Sequence, residues 1–189
     1  MKTTFKVLIF CLVIVGFQSC DDSASTEQES QQTQQIQQPQ AVEAEQEANP
    51  FLVTTNSFYG FTIGEKFGDL EKFLMQTGEG DFDVFLIKDE NGEKLGHIDS
   101  HYKDESLVGG ITITTEKAVT EDGVKIGMTY ADFNAKFPNA ELHGSEIEGY
   151  TSTNVNKNVY YELSDRHWEY ELDKSAISKD ATIVGITVH

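Results

Sequence analysis

The chain has 189 residues, 14 of them basic and 32 acidic, for a formal net charge of −18 at pH 7. That length suffices for one folded domain plus a tail, and a field of that sign repels phosphate backbones and anionic headgroups, so nucleic acid is not an expected ligand. The two cysteines, Cys11 and Cys20, both fall near the start, so no disulfide framework is expected.

At the N-terminus Lys2 and Lys6 precede an apolar run, Val7–Phe17. As a helix this run would rise only about 16 Å, against a hydrocarbon core of roughly 30 Å. It therefore reads as the h-region of a signal peptide over 1–19 and not as a membrane span. Gln18, Ser19 and Cys20 follow, and then strongly polar sequence. This resembles the bacterial lipobox, with Phe17 and Gln18 where Leu and a small residue are usual. The resemblance implies cleavage between Ser19 and Cys20 and lipid attachment at Cys20. Two or three acyl chains, at about 0.8 kcal/mol per buried methylene, would make the anchor stable.

Residues 20–50 are expected to form a disordered tether. From Asp21 to Pro50 there are nine Gln and seven acidic residues, with no Lys, Arg or aromatic residue. Such a stretch buries too little apolar surface to offset the entropy of ordering it. Its r.m.s. reach is roughly 30 Å.

The composition changes at Asn49-Pro50, and 51–189 reads as a single α+β domain with mainly antiparallel sheet and two short helices. It holds 25 acidic and 12 basic residues, about −13 by itself. Phe61–Leu70 aligns without gaps to Val124–Phe133, and Gly110-Ile111-Thr112-Ile113 matches Gly185-Ile186-Thr187-Val188. These matches suggest two approximate strand-helix-meander repeats, 58–115 and 121–189. In the first, Phe67, Leu70, Phe73 and Leu74 are expected on one helix face ended by Thr77-Gly78-Glu79-Gly80. A strand follows at Phe82–Ile87, and Asn91-Gly92 turns it into Lys94–Tyr102. In the second, Thr129 and Asp132 form a capping box, Tyr130, Phe133 and Phe137 share a face, and Pro138 stops the helix. Tyr150–Val155, Val159–Leu163 and Trp168–Leu172 then form a meander, with the rings of Trp168 and Tyr170 laid into the core.

Few motifs carry chemistry. His97, Asp99 and His101 alternate on one strand and are the candidate metal ligands, although a half-exposed polar sheet face accounts for the same pattern. Glu79, Asp81 and Asp83 offer carboxylates of glycosidase type without a diagnostic spacing. Asp89-Glu90-Asn91-Gly92 lacks the remaining ligands of a calcium loop and reads as a turn. No nucleophile elbow, zincin, phosphate-loop or dinucleotide motif occurs. No catalytic residue, enzyme activity or cofactor is therefore expected.

Gly123-Val124-Lys125-Ile126-Gly127-Met128-Thr129, Phe137-Pro138, Tyr160-Tyr161-Glu162 and the Ile183–Val188 strand resemble the envelope-stress-regulated bacterial lipoproteins, a family built on a domain of unknown function. The resemblance implies an α+β lipoprotein domain without assigned activity. Some members carry paired cysteines in the domain, whereas this chain has none there. The expected protein is a lipid-anchored, non-enzymatic envelope protein at the outer membrane, facing the periplasm or the cell surface. Its expected partners are the membrane, through the lipid, and an envelope protein. A metal- or small-ligand-binding module is the alternative, and a hydrolase ranks third.

Overall fold

The computed structural model describes residues 49–189. The expected signal peptide, Ser19, Cys20 and all but the last two tether residues lie outside the described residues. Three two-residue strands open the domain: β1 (Leu52–Val53), β2 (Ser57–Phe58) and β3 (Phe61–Thr62). Four long strands follow, β4 (Lys72–Thr77), β5 (Gly80–Lys88), β6 (Lys94–His101) and β7 (Asp104–Ile113). After the short β8 (Val119–Thr120) come the helix α1 (Tyr130–Lys136) and then β9 (Glu141–Gly144), β10 (Tyr150–Asn154), β11 (Val159–Arg166) and β12 (Ile183–Val188). Eight strands make one antiparallel sheet in the order β4-β5-β6-β7-β12-β11-β10-β9.

The domain is therefore mainly β, and the expectation of an α+β fold with two helices in strand-helix-meander repeats is corrected. One α-helix occurs among the described residues. At α1 the Thr129 hydroxyl accepts the Asp132 amide proton at 3.1 Å and donates to Asp132 Oδ2 at 2.8 Å. The Phe137 amide closes the helix on the Phe133 carbonyl at 2.8 Å, just before Pro138. The first segment has Lys66 at the aligned cap position, an ammonium with no acceptor to offer an amide. Gly68, aligned to Ala131, adopts a left-handed φ of 70°. With no cap and a broken first turn, the chain runs on as β4, pairing Phe73 with Val84 and Leu74 with Asp83. Phe73 and Leu74 thus point to opposite sides of the sheet instead of sharing a helix face.

The two segments nevertheless make matching backbone bonds. Gly64 N–H donates to the Val108 carbonyl at 2.8 Å, and Gly127 N–H donates to the Ile183 carbonyl at 2.8 Å. The return bonds, Val108 N–H to Glu65 and Ile183 N–H to Met128, are each 2.9 Å. Gly64 and Gly127 hold φ at 81° and 85°, where a side chain would be strained. The like-sequence strands β7 and β12 pair with each other, Thr112 opposite Thr187, so the sheet centre has an approximate two-fold axis.

One face of the sheet is the core. Ile98, Ile111, Ile113, Tyr161, Leu163, Ile186 and Val188 are buried there under α1 and the short opening strands. Phe133 of α1 packs its ring 5.1 Å from that of Tyr161, and its burial contributes about 1.5–3 kcal/mol. Between β5 and β6, Asp89 Oδ1 accepts the amide protons of Asn91 (3.0 Å) and Glu93 (2.9 Å), while its Oδ2 pairs with Lys117 at 3.1 Å. That carboxylate is fully used in holding a turn.

The sheet also curls until its ends meet. The Gly78 amide, in the turn between β4 and β5, donates to Glu148 Oε1 at 2.8 Å in the loop between β9 and β10. First and last strands of the sheet order are thereby clasped together at one corner, leaving the face opposite the core on the inside of the curl.

Candidate ligand-binding cup

The inner face encloses a concavity of about 1090 Å³. Strand alternation decides what lines it: each residue on this face has a core residue beside it in sequence. Ile98 and Ile111 point to the core, so His97, Asp99, Gly110 and Thr112 point inward. Tyr161, Ile186 and Val188 likewise leave Tyr160, Glu162, Gly185 and Thr187 inside. A row His97–Thr112–Thr187–Tyr160 crosses four strands at the axis, with His189 just beyond β12. Seven carboxylates line the cup against two fixed cations, Lys72 and Arg166.

Three ionisable groups feel this enclosure. Burial pushes the Asp99 carboxyl above its ordinary range, with His97 and His189 pulling it partly back. Burial pushes the His97 imidazole down, countered by Asp99 and reinforced by Lys94. Glu162 is raised by burial, opposed by Arg166 and aided by Glu148. His97 Nε2 stands 3.9 Å from Asp99 Oδ1, too far for a hydrogen bond. Enclosure disfavours charge on both partners, and at that distance they share no hydrogen bond. Glu162 Oε1 lies 3.7 Å from Arg166 Nη2.

Of the candidate metal ligands, His97 and Asp99 reach the cup floor together. His101 does not join them. The pairing of β6 with β7 slips on both sides of Ser100, and His101 stacks on Tyr102 at 4.7 Å while its Nδ1 accepts the Lys103 amide proton at 3.3 Å. Among the described residues no three His, Cys, Asp or Glu side chains converge as metal ligands would. Glu79, Asp81 and Asp83 line the cup near the β4–β5 hairpin, where Asp83 is paired with Lys72 at 2.6 Å.

Trp168 and Tyr170, expected in a core strand, lie in irregular chain and are 58% and 60% exposed. Their segment covers the outer edge of β9, through the Gly144 amide to the Tyr170 carbonyl (3.1 Å) and a bridge between His143 and Glu171. Trp168 occupies the space a side chain on Gly149 would need, 2.2 Å from its Cβ position. Glu162, Tyr160 and His189 are not site candidates from the sequence, where Tyr160-Tyr161-Glu162 carries only the family resemblance. Their signal was the alternation Tyr160-Tyr161-Glu162 opposite the Gly-Ile-Thr strands, which has meaning only once the strand order is known.

No family model matches the chain, and no curated protein matches it in sequence. Among solved structures it is similar to the crystal structure of the uncharacterized protein yfeY from Escherichia coli. The identity is 13%, over 72% of this chain and 98% of that one, with a TM-score of 0.49.

Proposed function

We propose that the protein is a lipid-anchored, non-enzymatic module of the bacterial outer membrane whose cup binds a small polar ligand. The anchor part rests on Lys2, Lys6, the Val7–Phe17 run and Ser19-Cys20. The binding part rests on one observation: a concave sheet face carrying His97, Asp99 and Glu162, all with ionisation disfavoured by enclosure. Ionisable groups perturbed by burial within a concave face mark a candidate binding site. The three do not form a nucleophile-base pair, which favours binding over catalysis.

Ligand-observed NMR on the detergent-solubilised full chain, with cationic, neutral and anionic metabolites, tests the binding part. Compounds should bind the wild type and be lost from Thr187→Trp, whose ring would fill the cup floor. Hits that survive in that variant, or no hit of any charge, would overturn the reading.

A further inference from the structure

The two central strands carry glycine where the floor needs space. A Cβ on Gly110 would lie 3.4 Å from Asp99 Oδ2 and 3.4 Å from His189 Nδ1. On Gly185 it would lie 3.4 Å from Glu162 Oε2. Each carboxylate therefore leans one strand inward, over the glycine opposite it, instead of standing above its own strand. Glycine within a strand weakens it and often marks close approach by another group.

The register sets their separation. Thr112 faces Thr187, and each glycine lies two residues before its threonine on antiparallel neighbours. The two carboxylates thus sit on a diagonal, offset by four residues and one strand spacing, roughly 14 Å. One metal ion cannot bridge that gap, and a singly charged amine would reach only one of the two acids, leaving either Asp99 without a fixed cation or Glu162 with Arg166 alone at 3.7 Å. An anion would meet the field of seven carboxylates.

Beside Asp99, one strand outside that diagonal, stands a further polar group. His97 is 8% exposed and lines the cup, yet its imidazole makes no hydrogen bond among the described residues. Its ring nitrogens stay open to the cup, where a neutral imidazole has one donor and one acceptor to offer. At the other end of the same row is the ring of Tyr160, set edge-on to His189 at 5.6 Å and available to a cation.

We propose, building on the cup as a ligand site, that the ligand is a linear polyamine. One terminal ammonium sits at Asp99 and the other at Glu162 Oε2, while an inner amine donates to His97. Arg166 faces the other oxygen of Glu162 and leaves Oε2 for the ligand.

Calorimetry on the detergent-solubilised full chain with spermine, and with butylamine as the singly charged control, tests this. Spermine should bind, and Asp99→Asn and Glu162→Gln should each weaken it about tenfold or more, the loss expected for one charge-assisted contact. Butylamine should bind far more weakly, and its affinity should fall in neither variant by the same factor. Circular dichroism of both variants confirms that they fold. Spermine that fails to bind, or binds the variants unchanged, overturns the polyamine. If neutral or anionic compounds then bind in a Thr187→Trp-sensitive way, the cup reading stands without it; if none do, both fall.

Discussion

His97 and Asp99 are neighbours whose protons are lost and gained in opposite order on folding. Burial holds the His97 imidazole below its ordinary 6.5, so the unfolded chain takes up that proton first. Stability then falls as pH drops from 6.5 until the folded imidazole protonates. Asp99 is held above 3.8, so the folded state keeps a proton the unfolded chain has released. Stability therefore rises as pH falls through that second interval. The other ionisable groups acting on the pair are Lys94, on His97, and His189, on Asp99. Urea unfolding should show a loss just below pH 6.5 that His97→Gln removes. Asp99→Asn should be more stable than wild type at neutral pH, by about 1 kcal/mol or less, because the carboxyl is 44% exposed and screened. A wild-type loss below 6.5 that persists unaltered in His97→Gln would contradict this account.

At the scale of elements, the comparison of α1 with β4 shows what one cap decides. Both segments offer apolar residues at helical spacing, and only the one with Thr129 becomes a helix. Thr129→Ala removes the bond to the Asp132 amide and should cost about 1 kcal/mol, read as a lower urea midpoint with an unchanged slope. An unaltered midpoint would mean that the packing of Phe133, and not the cap, holds the helix. This contrast also explains how much could be read in advance. The Asn91-Gly92 turn and α1 were legible because their signals are local: Gly92 takes a φ of 79°, and cap and stop flank the helix within nine residues. The first helix was misread because apolar spacing alone does not report a missing cap or the left-handed Gly68. His97 and Asp99 could be found from their alternation. Glu162 could not, since its relation to them depends on β7 pairing with β12, about 75 residues apart in the chain.

At the scale of the whole molecule, the proposed anchor and the cup make separate demands. Lipid at Cys20 would hold the chain to a membrane surface whatever the domain binds. Metabolic labelling with radioactive palmitate in bacterial cells should mark the wild-type chain, and Cys20→Ala should abolish the label and release the protein from the membrane fraction. Label retained in that variant would remove the anchor without touching the cup.

The strand β12 completes the sheet from its centre, although it comes after every other strand in the chain. A polypeptide threaded through a membrane N-terminus first would deliver β4–β7 and β9–β11 as two open half-sheets, each showing an unpaired edge where β12 belongs. Neither half can be finished on its own, and pairings this distant in sequence form slowly. The cup would then arise only on the far side, after the last strand has crossed. On the proposed export route, the placement of one late strand at the sheet's middle would keep the chain unclosed, and fit for passage through a narrow channel, until that strand has crossed.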